Sequence, residues 1–220
     1  MDRSVGAEVL HPKTTSEHMA TNIDLSTALP EAMASGMSYA QYSAENKAFA
    51  KEGKTSGPQK EAYVEYTKLG AARVKRWEKV YKPTAETLEG IAALVQPGEQ
   101  WLVFSETWCG DAAHNLPFIA KWAEFAGVEL RVIYRDEHPD LMDEFLTNGG
   151  RSIPKLVRMD ADFQVKGTWG PRPAPLTVEY AKWRAQEEFD YKAWTLFAQD
   201  WYNKDKGASL EQDFRELLVG

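Results

Sequence analysis

The chain has 220 residues, 43% of them hydrophobic and 12% aromatic, enough for one well-buried core or one core with a sizeable appendage. A formal charge of −7 argues against nucleic acid as the main partner, because phosphate binding needs a basic footprint. No apolar run approaches the ~18 residues that span a bilayer, so no membrane partner is expected either.

Residues 1–18 are polar and unpatterned, and 1–28 read as a disordered leader or a non-native segment. A helical extension is predicted over 29–82. Pro30-Glu31-Ala32-Met33 marks its first helix start, since proline is tolerated in a first turn. Met37 to Lys51 continues as helix, and Glu52 to Pro58 breaks the pattern. Residues 59–81 predict a long polar helix whose apolar members Tyr63, Tyr66, Leu69 and Val74 follow the 3.6-residue period.

From residue 83 to 220 the character changes. Thr84 to Val95 predicts an amphipathic helix with Thr84 as N-cap and Leu88, Ile91, Leu94 and Val95 inward. Gln96-Pro97-Gly98 turns the chain into an apolar strand over 101–105. Helix 111–126 follows, with Leu116, Ile119, Trp122 and Ala123 on one face, and then a mostly buried strand over 128–134. Residues 139–147 predict a short helix. The segments 156–159 and 163–169 predict a β-hairpin around Asp160-Ala161-Asp162. A rigid loop over 170–175 leads into one long helix, 176–202, and a last helix, 208–219, with Ser209 as a candidate cap. The first two strands, joined by a helix, should be parallel neighbours.

The chain's one cysteine, Cys109, stands where strand 101–105 gives way to helix 111–126. A helix N-terminus offers unpaired N–H groups and a positive dipole end, both of which favour the nucleophilic thiolate. No second cysteine exists for an intramolecular disulfide, which with the absence of a signal-peptide pattern points to a reducing, cytoplasmic compartment. The competing reading of Cys109 is a small, buried, unreactive apolar residue.

Trp108-Cys109-Gly110-Asp111-Ala112 resembles the Trp-Cys-Gly-Pro-Cys motif of thioredoxins at their strand-to-helix turn. Pro117 stands where thioredoxins carry a helix-kinking proline, and Ser152-Ile153-Pro154 is similar to the family's Ile-Pro with a cis bond facing the active cysteine. Together with Trp169-Gly170-Pro171-Arg172-Pro173, these motifs resemble a bacterial branch of the thioredoxin-like superfamily. The resemblance covers roughly residues 84–200. It implies an α/β fold, a three-layer α/β/α thioredoxin-like sandwich with a mixed central sheet, carrying an N-terminal helical arm and C-terminal helices. The departures are a lost resolving cysteine, replaced by Ala112, a carboxylate at Asp111 where the motif has proline, and no evident first strand.

The function that follows is a monothiol redox protein whose Cys109 handles mixed disulfides or low-molecular-weight-thiol adducts, resolved by an external thiol. Asp111 either favours the helix N-terminus, worth about 0.3–1 kcal/mol, or acts on the thiol by opposing the thiolate or accepting its proton. Trp108, Ile153 and Pro154 would shape a groove for an extended substrate. Arg151 and Arg172 would bind an anionic substrate group or remain solvated surface residues.

His114, about 140° around the helix from Cys109, is expected at the surface rather than in a Cys–His dyad, and His138 has no evident partner. No metal-ligand spacing occurs. Gly53-Lys54-Thr55 resembles the end of a P-loop but lacks its first glycine and its strand. No cofactor is implied beyond an external low-molecular-weight thiol as co-substrate, and a homo-oligomer through the helical arm stays open. The alternative reading is a redox-inactive thioredoxin-fold module that binds peptides or proteins. A glutathione-transferase-like enzyme ranks last, having too few C-terminal helices here.

Overall fold

The structure, a computed structural model, describes residues 23–220. Three helices come first: α1 (Leu25–Ser35), α2 (Tyr39–Glu52) and α3 (Glu61–Val80). The chain continues as α4 (Ala85–Ala92), β1 (Gln100–Ser105), α5 (Gly110–Ala126), β2 (Glu129–Tyr134) and the short α6 (Pro139–Asp143). It ends with β3 (Lys155–Met159), β4 (Val165–Trp169), α7 (Ala174–Arg184), α8 (Tyr191–Asp205) and α9 (Ala208–Val219). The four strands form one mixed sheet in the order β2-β1-β3-β4, with β1 and β2 parallel and the other pairs antiparallel. Helices flank it, as a thioredoxin-like α/β/α sandwich requires.

The N-terminal helices fold onto their own sheet. Leu29, Ala32, Met33, Tyr42 and Trp77 share a core with Trp101, Leu102, Phe104 and Trp122. Between α1 and α2, Met37 and Val132 exchange backbone hydrogen bonds of 2.9 and 2.8 Å. One residue thus covers the outer edge of β2, a place where exposed N–H and C=O groups would otherwise template pairing with another chain.

Several element boundaries differ from the sequence expectation. Helix α1 starts at Leu25 rather than Pro30, because the Asp24 carboxylate accepts from Ser26 N at 3.0 Å and from the Ser26 and Thr27 hydroxyls. Its first turn therefore falls inside the stretch read as leader, whose residues 1–22 lie outside the described ones. On α3, Leu69 is 52% exposed, and the buried face runs through Thr67, Gly70, Ala71, Val74 and Trp77. Small residues there let the helix approach closely: a side chain at Gly70 would press on the Thr107 carbonyl.

The predicted helix 139–147 stops at Asp143. Helix 176–202 is two helices, α7 and α8, interrupted at 185–190 and restarted by Asp190, whose side chain accepts from Lys192 N and Ala193 N. In α9 the cap is Gly207, while the Ser209 hydroxyl donates to Asp205 at 2.5 Å. The tight αL turn at Gly207 brings the chain so close to the Phe118 ring that no side chain fits there.

Two clusters hold the C-terminal helices. Phe214 of α9 packs edge-on and tilted among Trp101, Trp122 and Trp169. Leu176, Trp194, Ala198 and Tyr202 form a smaller core between α7 and α8. Beneath α9, Glu99 and Arg158 make a buried ion pair at 2.8 Å, and Glu99 also accepts from Trp101 Nε1 at 2.7 Å. Arg158 donates onward to the Leu217 carbonyl at 2.9 Å. Arg158→Met should strand the Glu99 carboxylate and cost about 3–5 kcal/mol in urea unfolding. A cost below about 1 kcal/mol would mean that the site takes up water freely.

Candidate active site at the start of α5

Strand β1 delivers the chain to the turn at Glu106-Thr107-Trp108, and Cys109 is the N-cap of α5. A buried hydroxyl network fixes this turn. The Ser56 hydroxyl donates to Glu106, Asp136 N donates to Glu106 Oε1 at 2.9 Å, and the Thr55, Thr67 and Thr107 hydroxyls meet one another. Tyr42 donates to the Glu106 carbonyl at 3.1 Å, and Asn46 Nδ2 to the Thr107 carbonyl at 3.1 Å. Helices α2 and α3 therefore supply the back wall of the site, a role their polar sequences did not announce.

Cys109 is 6% exposed. Its Sγ accepts from Ala112 N at 3.4 Å and donates to the Ile153 carbonyl at 3.3 Å, and the Ile153–Pro154 bond is cis. Ala112 itself is fully buried. Gly170, at φ 120°, brings the loop after β4 against the Pro154 carbonyl, where any side chain would collide. That contact carries Pro171 and Arg172 to the edge of the same groove. An open cavity is lined by Trp108, Cys109, Arg135, Arg151, Ile153 and Arg172, among others. Of the sequence-predicted residues, Trp108, Cys109, Asp111, Arg151, Ile153 and Arg172 line this groove, and Pro154 follows Ile153 across the cis bond.

Their roles separate on inspection of partners. Trp108 stacks on Tyr63 with ring centroids 4.5 Å apart, and the Arg135 guanidinium lies 5.1 Å from its ring. Arg151 is exposed and tied to Asp143 by two bonds of 2.6 Å, so its charge is already matched at the rim. Arg172 is largely buried, with Nε 2.8 Å from Asp111 Oδ2. The Tyr202 hydroxyl donates to Asp111 Oδ1 at 2.9 Å.

Burial pushes the Asp111 carboxyl above its ordinary range, against the pull of Arg172, Tyr202 and Arg73. Burial works to lower Arg172, yet Asp111 and the nearby phenols hold it above its usual value. The Cys109 thiol is pushed up to about 12, first by burial and then by the charge of Asp111, while the Ala112 N–H and Arg172 pull the other way. The expectation of a thiol tipped toward thiolate is therefore corrected: the resting group is a protonated thiol, because desolvation outweighs the helix N-terminus.

His114 is a second correction. It is 3% exposed rather than on the surface, stacked on Tyr202 with centroids 4.2 Å apart and accepting from Trp77 Nε1 at 2.9 Å on Nδ1. Burial, with Arg73 and Arg76 nearby, lowers its pKa to about 3. Its Nδ1 is taken by Trp77 and the Cys109 thiol bonds to Ile153 and Ala112, so no Cys–His dyad forms. Arg73, Arg135, Tyr191 and Tyr202 also border the site. Sequence reading missed them because helical periodicity marks apolar faces, not which polar side chains a distant helix brings in. Among the described residues no His, Cys, Asp and Glu cluster could hold a metal ion, and no helix is long and apolar enough to cross a membrane.

Two outcomes follow. Iodoacetamide should label Cys109 more slowly than free cysteine at pH 7, with the rate still rising about tenfold per pH unit between about pH 9 and about pH 11. Mass spectrometry of the adduct checks this, and a plateau near pH 8.5 would mean that the thiol titrates ordinarily. His114 has a folded-state pKa below its unfolded value, so it contributes stability above about pH 6.5 that is lost as pH falls toward about 3. His114→Phe should flatten that part of the urea-midpoint curve; an unchanged acid slope would contradict the assignment.

The thioredoxin family profile matches residues 57–184, from the loop before α3 to the end of α7. A crystal structure of a protein of unknown function from Pseudomonas aeruginosa is 18% identical, with a TM-score of 0.53 over 86% of this chain and 94% of that one. An HIV epitope-scaffold is 20% identical, with a TM-score of 0.51 over the same shares of the two chains. At these identities the two structures establish the fold alone. No curated protein matches the chain. The family match spans more than half of the sequence and contains Cys109, the cis-proline segment and the Arg172 loop, so this chain belongs to the thioredoxin family.

Proposed function

We propose that the protein is a monothiol thiol–disulfide exchanger acting through Cys109 on a mixed disulfide or thiol adduct in a reducing, cytoplasmic setting. The observation that carries this reading is the Sγ–H bond to the Ile153 carbonyl beside cis-Pro154, on the wall of an open groove. An extended substrate that pairs with the Ile153 backbone competes for that carbonyl and releases the thiol. Sγ then attacks one sulfur of the substrate disulfide. A new Sγ–S bond forms, the substrate S–S bond breaks, and the departing thiolate takes up the proton that Sγ has lost. With Ala112 in place of a second cysteine, an external low-molecular-weight thiol attacks the mixed disulfide and restores Cys109.

A second reading, a binding module without turnover, is favoured by the burial and raised pKa of the thiol. In that reading Trp108, Ile153 and Pro154 hold a protein segment while Cys109 stays protonated.

The two readings part on one experiment. The protein is incubated with a glutathionylated peptide and excess external thiol, and both deglutathionylation and the intact mass are followed. Exchange requires a transient adduct on Cys109 and turnover that falls at least a hundredfold in Cys109→Ser. Peptide binding without adduct or turnover would sink the exchange reading and leave the module.

A further inference from the structure

Behind the Cys109 groove lies a smaller cavity of about 70 Å³, bordered by Arg73, Asp111, His114, Arg172, Tyr191 and Tyr202. Asp111, Arg172 and Tyr191 also line the outer groove, so the two spaces adjoin across these side chains. The inner cavity has room for a carboxylate group but is far below the size of a whole drug-like ligand.

Hydrogen-bond donors converge on it. His114 receives the Trp77 Nε1–H on Nδ1, so its neutral ring carries the proton on Nε2. That Nε2–H is buried and has no partner among the described residues. Gln199 stands beside it, its Oε1 accepting from Arg73 Nε at 2.6 Å and its Nε2 donating to Asn203 at 3.2 Å. The terminal nitrogens of Arg73 find no acceptor among the described residues, and one of them lies over Gly110 in the first turn of α5.

The charges are unequal as well. Asp111 is matched by Arg172 at 2.8 Å, whereas no carboxylate lies within ion-pair distance of Arg73 among the described residues. One buried, unpartnered donor and two guanidiniums, Arg73 and Arg172, thus face a space lined by one carboxylate, Asp111, which is already held by Arg172 and Tyr202. Such an arrangement is complementary to an anionic acceptor, and a planar guanidinium matches a carboxylate in two bonds.

We propose that this inner cavity is a carboxylate-binding subsite, in which Arg73 and His114 Nε2–H hold the carboxylate of a small anionic thiol adduct whose disulfide lies at Cys109. The substrate class is thereby narrowed to small molecules or chain termini that carry a carboxylate a few bonds from sulfur. This deepens the exchange reading and rests on it for the placement of the sulfur, but not for the binding of the carboxylate.

Two measurements test it separately. In the first, propionate is titrated into Cys109→Ser protein while the His114 ring nitrogens are followed by NMR, with sulfate as the comparison anion. The site requires a saturable shift at Nε2, binding at least tenfold weaker in Arg73→Met, and weaker binding of sulfate. Absence of saturation, or sulfate binding as tightly as propionate, overturns the assignment.

In the second, wild-type protein reacts with two activated disulfides, 3-(2-pyridyldithio)propionate and 2-(2-pyridyldithio)ethylamine, each of which supplies the S–S bond and releases pyridine-2-thione. The carboxylate reagent should react at least tenfold faster, still so at about 0.3 M salt, where a general surface field is screened. Arg73→Met should erase that preference, with a circular dichroism spectrum and urea midpoint like those of the wild type showing that the variant is folded. A preference that survives Arg73→Met overturns the proposal. If propionate binds but neither reagent modifies Cys109, the exchange reading fails and the subsite stands. If both reagents react equally and propionate does not bind, the subsite fails and the exchange reading stands.

Discussion

Asp111 carries a carboxylate into the interior at the first turn of α5, where an unpaired charge would cost several kcal/mol. Arg172 from the loop after β4 and Tyr202 from α8 meet its two oxygens at 2.8 and 2.9 Å. Asn115, one turn along α5, donates to the Asp111 carbonyl at 2.8 Å and to the Tyr202 hydroxyl at 3.1 Å. Segments more than ninety residues apart are therefore tied to the residue two positions beyond the thiol. A buried network of this kind specifies position strongly, because each partner lost leaves another buried group unsatisfied.

The same carboxylate adds to burial in raising the thiol. A helix N-terminus offers a nearby anion about 0.3–1 kcal/mol, or about 2 kcal/mol in favourable buried geometry. Raising the Cys109 thiol from 9.0 to about 12 corresponds to roughly 4 kcal/mol against the thiolate. Burial and Asp111 together outweigh the dipole, so position at a helix start is not sufficient for reactivity. A thiol in this setting is held in its protonated form.

Much of the fold was legible because its signals are local. Thr84 caps α4 as its sequence position indicates, with Thr87 N donating to its hydroxyl at 3.1 Å. The α5 positions Leu116, Ile119, Trp122 and Ala123 are all buried, as a 3.6-residue period requires. The motif residues Trp108, Cys109, Ile153 and Arg172 line one groove, and the Ile153–Pro154 bond is cis. Long-range polar pairing was not legible. Nothing near Arg73 or His114 in the sequence reveals that α8 will roof them, and Leu69 misled because the close α3 contact uses Gly70 and Ala71 instead.

The break between α7 and α8 has the largest structural consequence of these differences. A continuous helix over 176–202 would carry Tyr191 and Tyr202 away along one axis. The interruption at 185–190, restarted by the Asp190 cap, lets α8 pack back on α7 through Trp194 against Tyr180 and Trp183. From there Tyr202 reaches both Asp111 and the His114 ring, and Gln199 reaches Arg73. The thioredoxin sheet sets Cys109 against the Ile153 carbonyl, but it is this returned helix that buries the thiol's carboxylate neighbour and encloses the polar space behind it. The polar space beside Cys109 is therefore a property of the added helix, and changes along its inner face should reshape that space without moving the groove beside Ile153.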